Sequence, residues 1–186
     1  LFDDFRRVSF QREGVFMPEE LAGRLAEAEQ VLCIVNTRKR AQQVYEGLPE
    51  EGRFHLSTLM IPTDREETLN VIRARLRNGQ VCRVVSTSLV EAGVDVDFPS
   101  VWRELAGLDS ILQAAGRCNR EGKRSAAESV VHVFEAEGTP PHSMMQQREA
   151  TTKVMEEFEE INTRPAIRAY FNRLLWVNGD DALDAE

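Results

Sequence analysis

Cysteine is scarce in this sequence: Cys33, Cys82 and Cys118 are three among 186 residues, far apart and without a Cys-x-x-Cys pair. Neither a disulfide framework nor a thiolate zinc site is suggested, and a reducing, cytoplasmic setting is expected. Cys33 and Cys82 sit inside apolar runs, where a thiol behaves as a small buried hydrophobe. The three histidines (His55, His132, His142) are scattered, two of them in strand candidates, so packing is expected rather than metal ligation. No apolar run approaches the ~18 residues that a membrane span needs. The chain opens on Leu1 with no charged-then-apolar leader, and is expected to be a piece of a longer protein. A phosphate loop is missing too. The nearest lookalike to G-x-x-x-x-G-K-[ST] runs from Gly116 to Lys123, but five residues separate its glycines and Arg124 stands where the Mg²⁺-binding hydroxyl should be. These absences argue against a membrane span, a disulfide-stapled module and a phosphate-handling enzyme with a complete site of its own.

Lysine is equally rare, and the positive charge is almost all arginine. Of 23 basic residues, only Lys39, Lys123 and Lys153 are lysines. The net charge of −8 looks wrong for a nucleic-acid binder, yet it is unevenly spread. Residues 1–135 hold 21 acids and 18 bases, and residues 136–186 hold 10 and 5. Arginine is suited to bidentate phosphate contact, so a local Arg-lined groove fits this composition. Free DNA should still bind this chain weakly, because non-specific affinity is mostly phosphate neutralisation.

What is present is an alternation of β-rich runs and helical patterns. Val31-Leu-Cys-Ile-Val35 is a continuous apolar run of strand length, as in a sheet covered on both faces. Asn36 and Thr37 offer a cap for a helix from about Arg38 to Leu48, closed by Pro49. A short strand is expected over His55–Leu59, a helix over Asp64–Asn78 closed by Gly79, and a strand over Val81–Val85. Val101-Trp-Arg-Glu-Leu105 reads as a strand or a turn of helix. Asp109 is expected to cap a helix reaching about Cys118, before a last strand over Ser129–Phe134. Such alternation implies an α/β fold with a parallel sheet and right-handed crossovers. The expected organisation is a linker or edge strand and a leading helix over 1–30, the α/β domain over 31–138, and a helical extension over 139–186.

Three segments carry chemistry. Gln113-Ala-Ala-Gly-Arg-Cys-Asn-Arg120 spaces Arg117 and Arg120 three apart, which on a helix puts both on one face. Gly116 allows close approach just before them. Two adjacent guanidiniums with no acid in the motif repel unless an anion lies between them, and a triphosphate is a natural one. The alternative is a solvated helix face with two unrelated arginines. Second, the run from Val84 to Phe98 ends a buried strand in Ser86, Thr87 and Ser88 and then places Gly93 and Asp95 in a tight loop. Hydroxyls and free N–H groups at a strand's carboxyl end can hold a phosphate backbone, and Asp95 could accept ribose hydroxyls. An ordinary capped turn is the plainer reading. Third, Asn36-Thr-Arg-Lys-Arg40 sets Thr37 and Arg38 at the end of the first buried strand, where open parallel sheets bind ligands.

The order of these segments over residues 31–134 resembles the C-terminal RecA-like motor domain of superfamily 2 helicases. The phrases Glu91-Ala-Gly-Val-Asp-Val-Asp-Phe98 and Asp109 to Lys123, notably Cys118-Asn119 before Arg120, are similar to the CRISPR-associated helicase–nuclease of type I interference systems, as is Ile167-Arg-Ala-Tyr-Phe171. The resemblance implies a RecA-like sheet, ATP-driven translocation on single-stranded DNA and a surveillance-complex (Cascade) partner. ATP and Mg²⁺ would be bound mainly by a preceding RecA-like domain. It further implies Arg117 and Arg120 as arginine fingers, Gln113 as a sensor of the ATP site, and Gly93, Asp95 and Gly116 as nucleotide contacts. Thr37, Arg38, Thr87 and Ser88 would contact nucleic acid. The run Leu56-Ser-Thr-Leu-Met60 departs, around Thr58, from the polar triplet usual on that strand. Another superfamily 2 motor remains open, as does a non-catalytic interaction module built on Glu156–Glu160 and the aromatics Tyr170, Phe171 and Trp176.

Overall fold

A computed structural model describes residues 7–57, 59–88 and 94–183, the last eight of them by backbone alone. The apolar run predicted as a buried strand lies at its centre. Strand β2 (Gln30–Ile34) alternates its side chains between two cores: Val31 and Cys33 face one, Leu32 and Ile34 the other. That parity is the two-residue period of a strand covered on both faces.

On one side β2 pairs with β4 (Cys82–Ser86), which pairs in turn with β3 (Arg53–Leu56). On the other it pairs with β5 (Ser100–Glu104), then β6 (Val130–Ala136), then β1 (Ser9–Phe16). All five pairings are parallel, and the order is β1-β6-β5-β2-β4-β3. The ambiguous run over Val101–Leu105 is therefore a strand, and the first described residues supply an edge strand.

Helices α1 (Pro18–Ala26) and α2 (Arg38–Gly47) cover one face, burying Leu21, Leu25, Ala41 and Val44 against Val31, Cys33 and Phe134. Helices α3 (Pro62–Arg77) and α4 (Leu108–Ala115) cover the other, burying Leu69, Ile72, Ala114 and Ala115 against Leu32, Ile34 and Val84. This doubly covered parallel sheet is a RecA-like α/β fold. Helices α5 (Met145–Glu157) and α6 (Arg164–Leu183) build a third cluster, in which Val154, Ala166 and Tyr170 meet Leu108 and Ile111 of α4.

The short strand expected over His55–Leu59 runs Arg53–Leu56, other ends shift by one or two residues, and three boundaries differ for a local reason. Helix α3 begins at Pro62, two residues before Asp64, because proline is at home in a first turn where its missing N–H costs nothing. Helix α4 is capped at Gly107, not Asp109; the Asp109 carboxylate instead accepts a hydrogen bond from the Tyr170 hydroxyl at 3.2 Å. A Cβ at Gly107 would lie 2.4 Å from that carboxylate and 2.7 Å from the Tyr170 hydroxyl, so a larger residue there would push this hydrogen-bonded pair aside. Finally, α4 stops at Ala115 instead of reaching Cys118. Beyond Gly116 the Phe98 N–H donates to the Arg117 carbonyl at 2.9 Å, and the Asn119 N–H donates to the Phe98 carbonyl at 3.0 Å. A short parallel bridge thus replaces the next helical turn. Gly52 (φ +67°) turns the chain into β3 at a place where no side chain fits, since an added Cβ would lie 2.3 Å from the Val81 carbonyl oxygen.

Candidate nucleotide and nucleic-acid sites

In a parallel sheet every strand ends on the same rim, and every crossover returns the chain to the opposite one. The predicted site residues divide accordingly. Thr37, Arg38, Thr87 and Ser88 follow the carboxyl ends of β2 and β4. Asp95, Arg117 and Arg120 lie at the amino-end rim, beside the residues that lead into β5 and β6. Gly93 and Thr58 lie outside the described residues, and so does the Trp176 side chain.

At the amino-end rim the two conspicuous arginines do not share a helix face, because α4 has ended before either of them. What holds them is a loop with several independent ties. Asn119 is fully buried and left-handed (φ 47°), a conformation that asparagine tolerates better than most residues. Its amide nitrogen donates to the Arg7 carbonyl at 2.8 Å and to the Arg124 carbonyl at 2.7 Å, while its amide oxygen accepts from the Arg124 N–H at 3.0 Å. Both ends of the amide are therefore used, which also fixes its orientation. Asp97 accepts from the Arg120 N–H at 2.8 Å and faces the Arg124 guanidinium at 3.6 Å. The Arg7 guanidinium donates to the Arg120 carbonyl at 2.8 Å.

The two guanidiniums are placed differently. Arg120 is half-exposed, and its Nε lies 2.9 Å from Oδ1 of Asp95. Arg117 is buried to 9% exposure. Burial, then the neighbouring Arg120 charge, lowers its proton affinity, and Asp95 partly offsets this. Repulsion between the arginines is thus answered by an acid from outside the motif. A cleft of about 370 Å³ opens next to Asp95, its charged lining mixed: Asp95, Asp97 and Glu121 with Arg73, Arg77, Lys123 and Arg124. Gln113 is exposed on α4, and Gly116 is exposed at its end with an ordinary negative φ.

At the carboxyl-end rim the Thr37 hydroxyl accepts from the Arg40 N–H at 3.3 Å and caps α2, while Arg38 is exposed in the first turn. Thr87 is nearly buried and Ser88 exposed. The Ser86 hydroxyl is turned inward and donates to the Leu56 carbonyl at 3.0 Å. Between β2 and β5 the strand order reverses, which is where such sheets form a ligand crevice. Here protein side chains fill it. Glu104, 1% exposed, receives the Asn36 N–H at 2.8 Å and the Arg40 guanidinium at 2.9 Å, with Arg148 of α5 at 4.0 Å. Arg103 donates to the Asn36 side-chain oxygen at 2.6 Å, and Arg148 also reaches Glu135 at 3.3 Å. The crevice at the switch point is closed by an ion network that the sequence reading missed; its signal was Arg103-Glu104 inside an otherwise apolar strand.

Among the described residues no group of three or more His, Cys, Asp or Glu side chains is placed to hold a metal ion. No helix among them is long and apolar enough to cross a membrane.

Residues 27–123, just over half of the chain and including β2 through the loop that carries both arginines, match the family of the CRISPR-associated nuclease/helicase Cas3, C-terminal region. The chain belongs to this family. Among its relatives, the CRISPR-associated helicase Cas3 of Thermoproteus tenax is 27% identical over 148 residues, which make up 79% of this chain and 25% of that protein. The chain thus spans about a quarter of that Cas3. Among solved structures, T. fusca Cas3 with ATP superposes with a TM-score of 0.70 at 18% identity, covering 89% of this chain and 23% of the other. A CRISPR RNA-guided surveillance complex in its pre-nicking state contains a chain that superposes with a TM-score of 0.61 at 20% identity, covering 82% and 22%. The fold is therefore that of the C-terminal helicase domain of Cas3.

Proposed function

We propose that this chain is the second motor domain of an ATP-dependent single-stranded-DNA translocase of type I CRISPR interference, and that it is inactive alone. The observation that carries this reading is the amino-end cluster: Arg117, Arg120 and Asp95 stand together in a chain with no phosphate loop. Half of a nucleotide site is what such a cluster can supply. ATP and Mg²⁺ would be held mainly by a preceding RecA-like domain, and closure of the two domains would bring the γ-phosphate to Arg120 and Arg117. There the guanidiniums would stabilise the charge that develops in phosphoryl transfer. Gln113 would sense the same site from α4, with Gly93, Asp95 and Gly116 at the nucleotide. On the other rim, Thr37, Arg38, Thr87 and Ser88 would contact the DNA backbone. Membership of the Cas3 family supports the surveillance complex (Cascade) as the partner that delivers the strand.

The test is single-stranded-DNA-stimulated ATPase of the full-length helicase, wild type against Arg120→Ala. Loss of about 10³-fold in turnover with ATP binding retained is expected for a finger. Near-normal turnover overturns the reading, as does clear Arg117-dependent ATPase from the isolated chain.

A further inference from the structure

The finger loop is tied to a segment more than a hundred residues away in sequence. Arg7 stands just ahead of β1, the edge strand, and meets the loop twice: its carbonyl accepts from the Asn119 amide, and its guanidinium donates to the Arg120 carbonyl. The same side chain lies over Gly122, where an added Cβ would come within 3.6 Å of it. Asn119, fully buried and left-handed, then passes that position on through Arg124 to the whole loop. These contacts grip backbone, not the finger's charged end. They leave the Arg120 guanidinium able to exchange Asp95 for another anion while its Cα is held from two sides, by Arg7 and by Asp97.

We propose that Arg7 is a positioning residue for the Arg120 finger, acting with Asn119 so that the segment entering the sheet sets where the finger stands. The inference rests on the second-motor reading above. On that reading the chain comes from the nucleotide-binding domain into β1, so Arg7 links the finger to the connection between the two motors. A finger must reach its transition-state partner to within a fraction of an ångström, and misplacement by about 1 Å can cost on the order of a hundredfold in rate.

The experiment is single-stranded-DNA-stimulated ATPase of the full-length helicase for wild type, Arg7→Ala, Arg7→Lys, Arg120→Ala and the Arg7→Ala/Arg120→Ala double variant. Arg7 is exposed and Arg7→Ala keeps the backbone carbonyl, so folding is not at stake; a melting curve accompanies each variant. Arg7→Ala should lower kcat about tenfold or more at unchanged KM for ATP, and Arg7→Lys should recover most of the loss. Arg7→Ala should cost nothing further once Arg120 is gone, because coupled residues are not additive. A wild-type kcat for Arg7→Ala, or an equal loss with and without Arg120, overturns the proposal while leaving the finger reading intact. Near-normal turnover of Arg120→Ala would instead overturn the finger reading and this inference together.

Discussion

Asp95 and Arg120 form an ion pair at 2.9 Å across 25 residues of sequence, joining an acid ahead of β5 to a base beyond α4. Both side chains are largely in water, so the pair is cheap to open. Exposed pairs of this kind contribute at most about 1 kcal/mol. Asp95→Ala and Arg120→Ala should therefore lower the unfolding free energy of the isolated chain, read from urea denaturation, by no more than that amount, and an activity lost on Arg120→Ala cannot then be blamed on unfolding. A shift of several kcal/mol would show that the pair holds the loop together.

Glu104 should behave in the opposite way. It is 1% exposed and faces Arg40, with Arg148 close by. Removing one partner of a buried pair leaves the others charged in a dry site and costs about 3–5 kcal/mol. Urea denaturation of Glu104→Ala should show a loss of that size, and Glu104→Gln a smaller one, since the amide oxygen can still accept the Asn36 N–H. Wild-type stability for Glu104→Ala would mean that water reaches the network.

Two left-handed glycines separate backbone strain from crowding. At Gly79 (φ +65°) nothing lies within 4 Å of an added Cβ, so Gly79→Ala should cost only the conformational penalty of about 1–2 kcal/mol. At Gly52 (φ +67°) that Cβ would lie 2.3 Å from the Val81 carbonyl oxygen. Gly52→Ala should cost about 1–3 kcal/mol more. Thermal unfolding of the two variants side by side checks the order, and equal costs would refute it.

The cysteines should be inert. Burial pushes the Cys82 and Cys118 thiols up to about 12, and that of fully buried Cys33 higher still. Thiolate is the reactive form, so brief iodoacetamide treatment at pH 8 should leave the folded chain unmodified, while urea should expose all three to alkylation. Fast labelling of Cys118 in the folded chain would show that the loop after α4 opens.

What could be read from the sequence was what local chemistry dictates. The run Val31–Val35 is buried because nothing in it tolerates water, and Thr37 caps α2 because a hydroxyl before a helix finds the free N–H groups. The pairing of Arg117 with Arg120 was visible as a motif; their placement off the helix was not. That placement depends on Phe98, whose backbone competes for the Arg117 carbonyl from 19 residues away. Long-range competition of this sort leaves no periodicity to read. Asn119 was likewise noticed only as family wording, although an asparagine followed by Arg-Glu-Gly is a fair signal for a left-handed turn. Asp97 was visible only inside the family phrase, and Arg7 and Arg148 carried no signal at all, since each acquires its role from a partner on another element.

Arg148 bears on where this molecule can be cut. It stands on a helix beyond the last strand, yet it lies beside a carboxylate in the middle of the sheet. A version trimmed after β6, as the α/β pattern invites, would strip one cation from Glu104 and uncover Leu108 and Ile111 of α4. In electrostatic terms the unit that folds does not end where the strand-and-helix repeat ends.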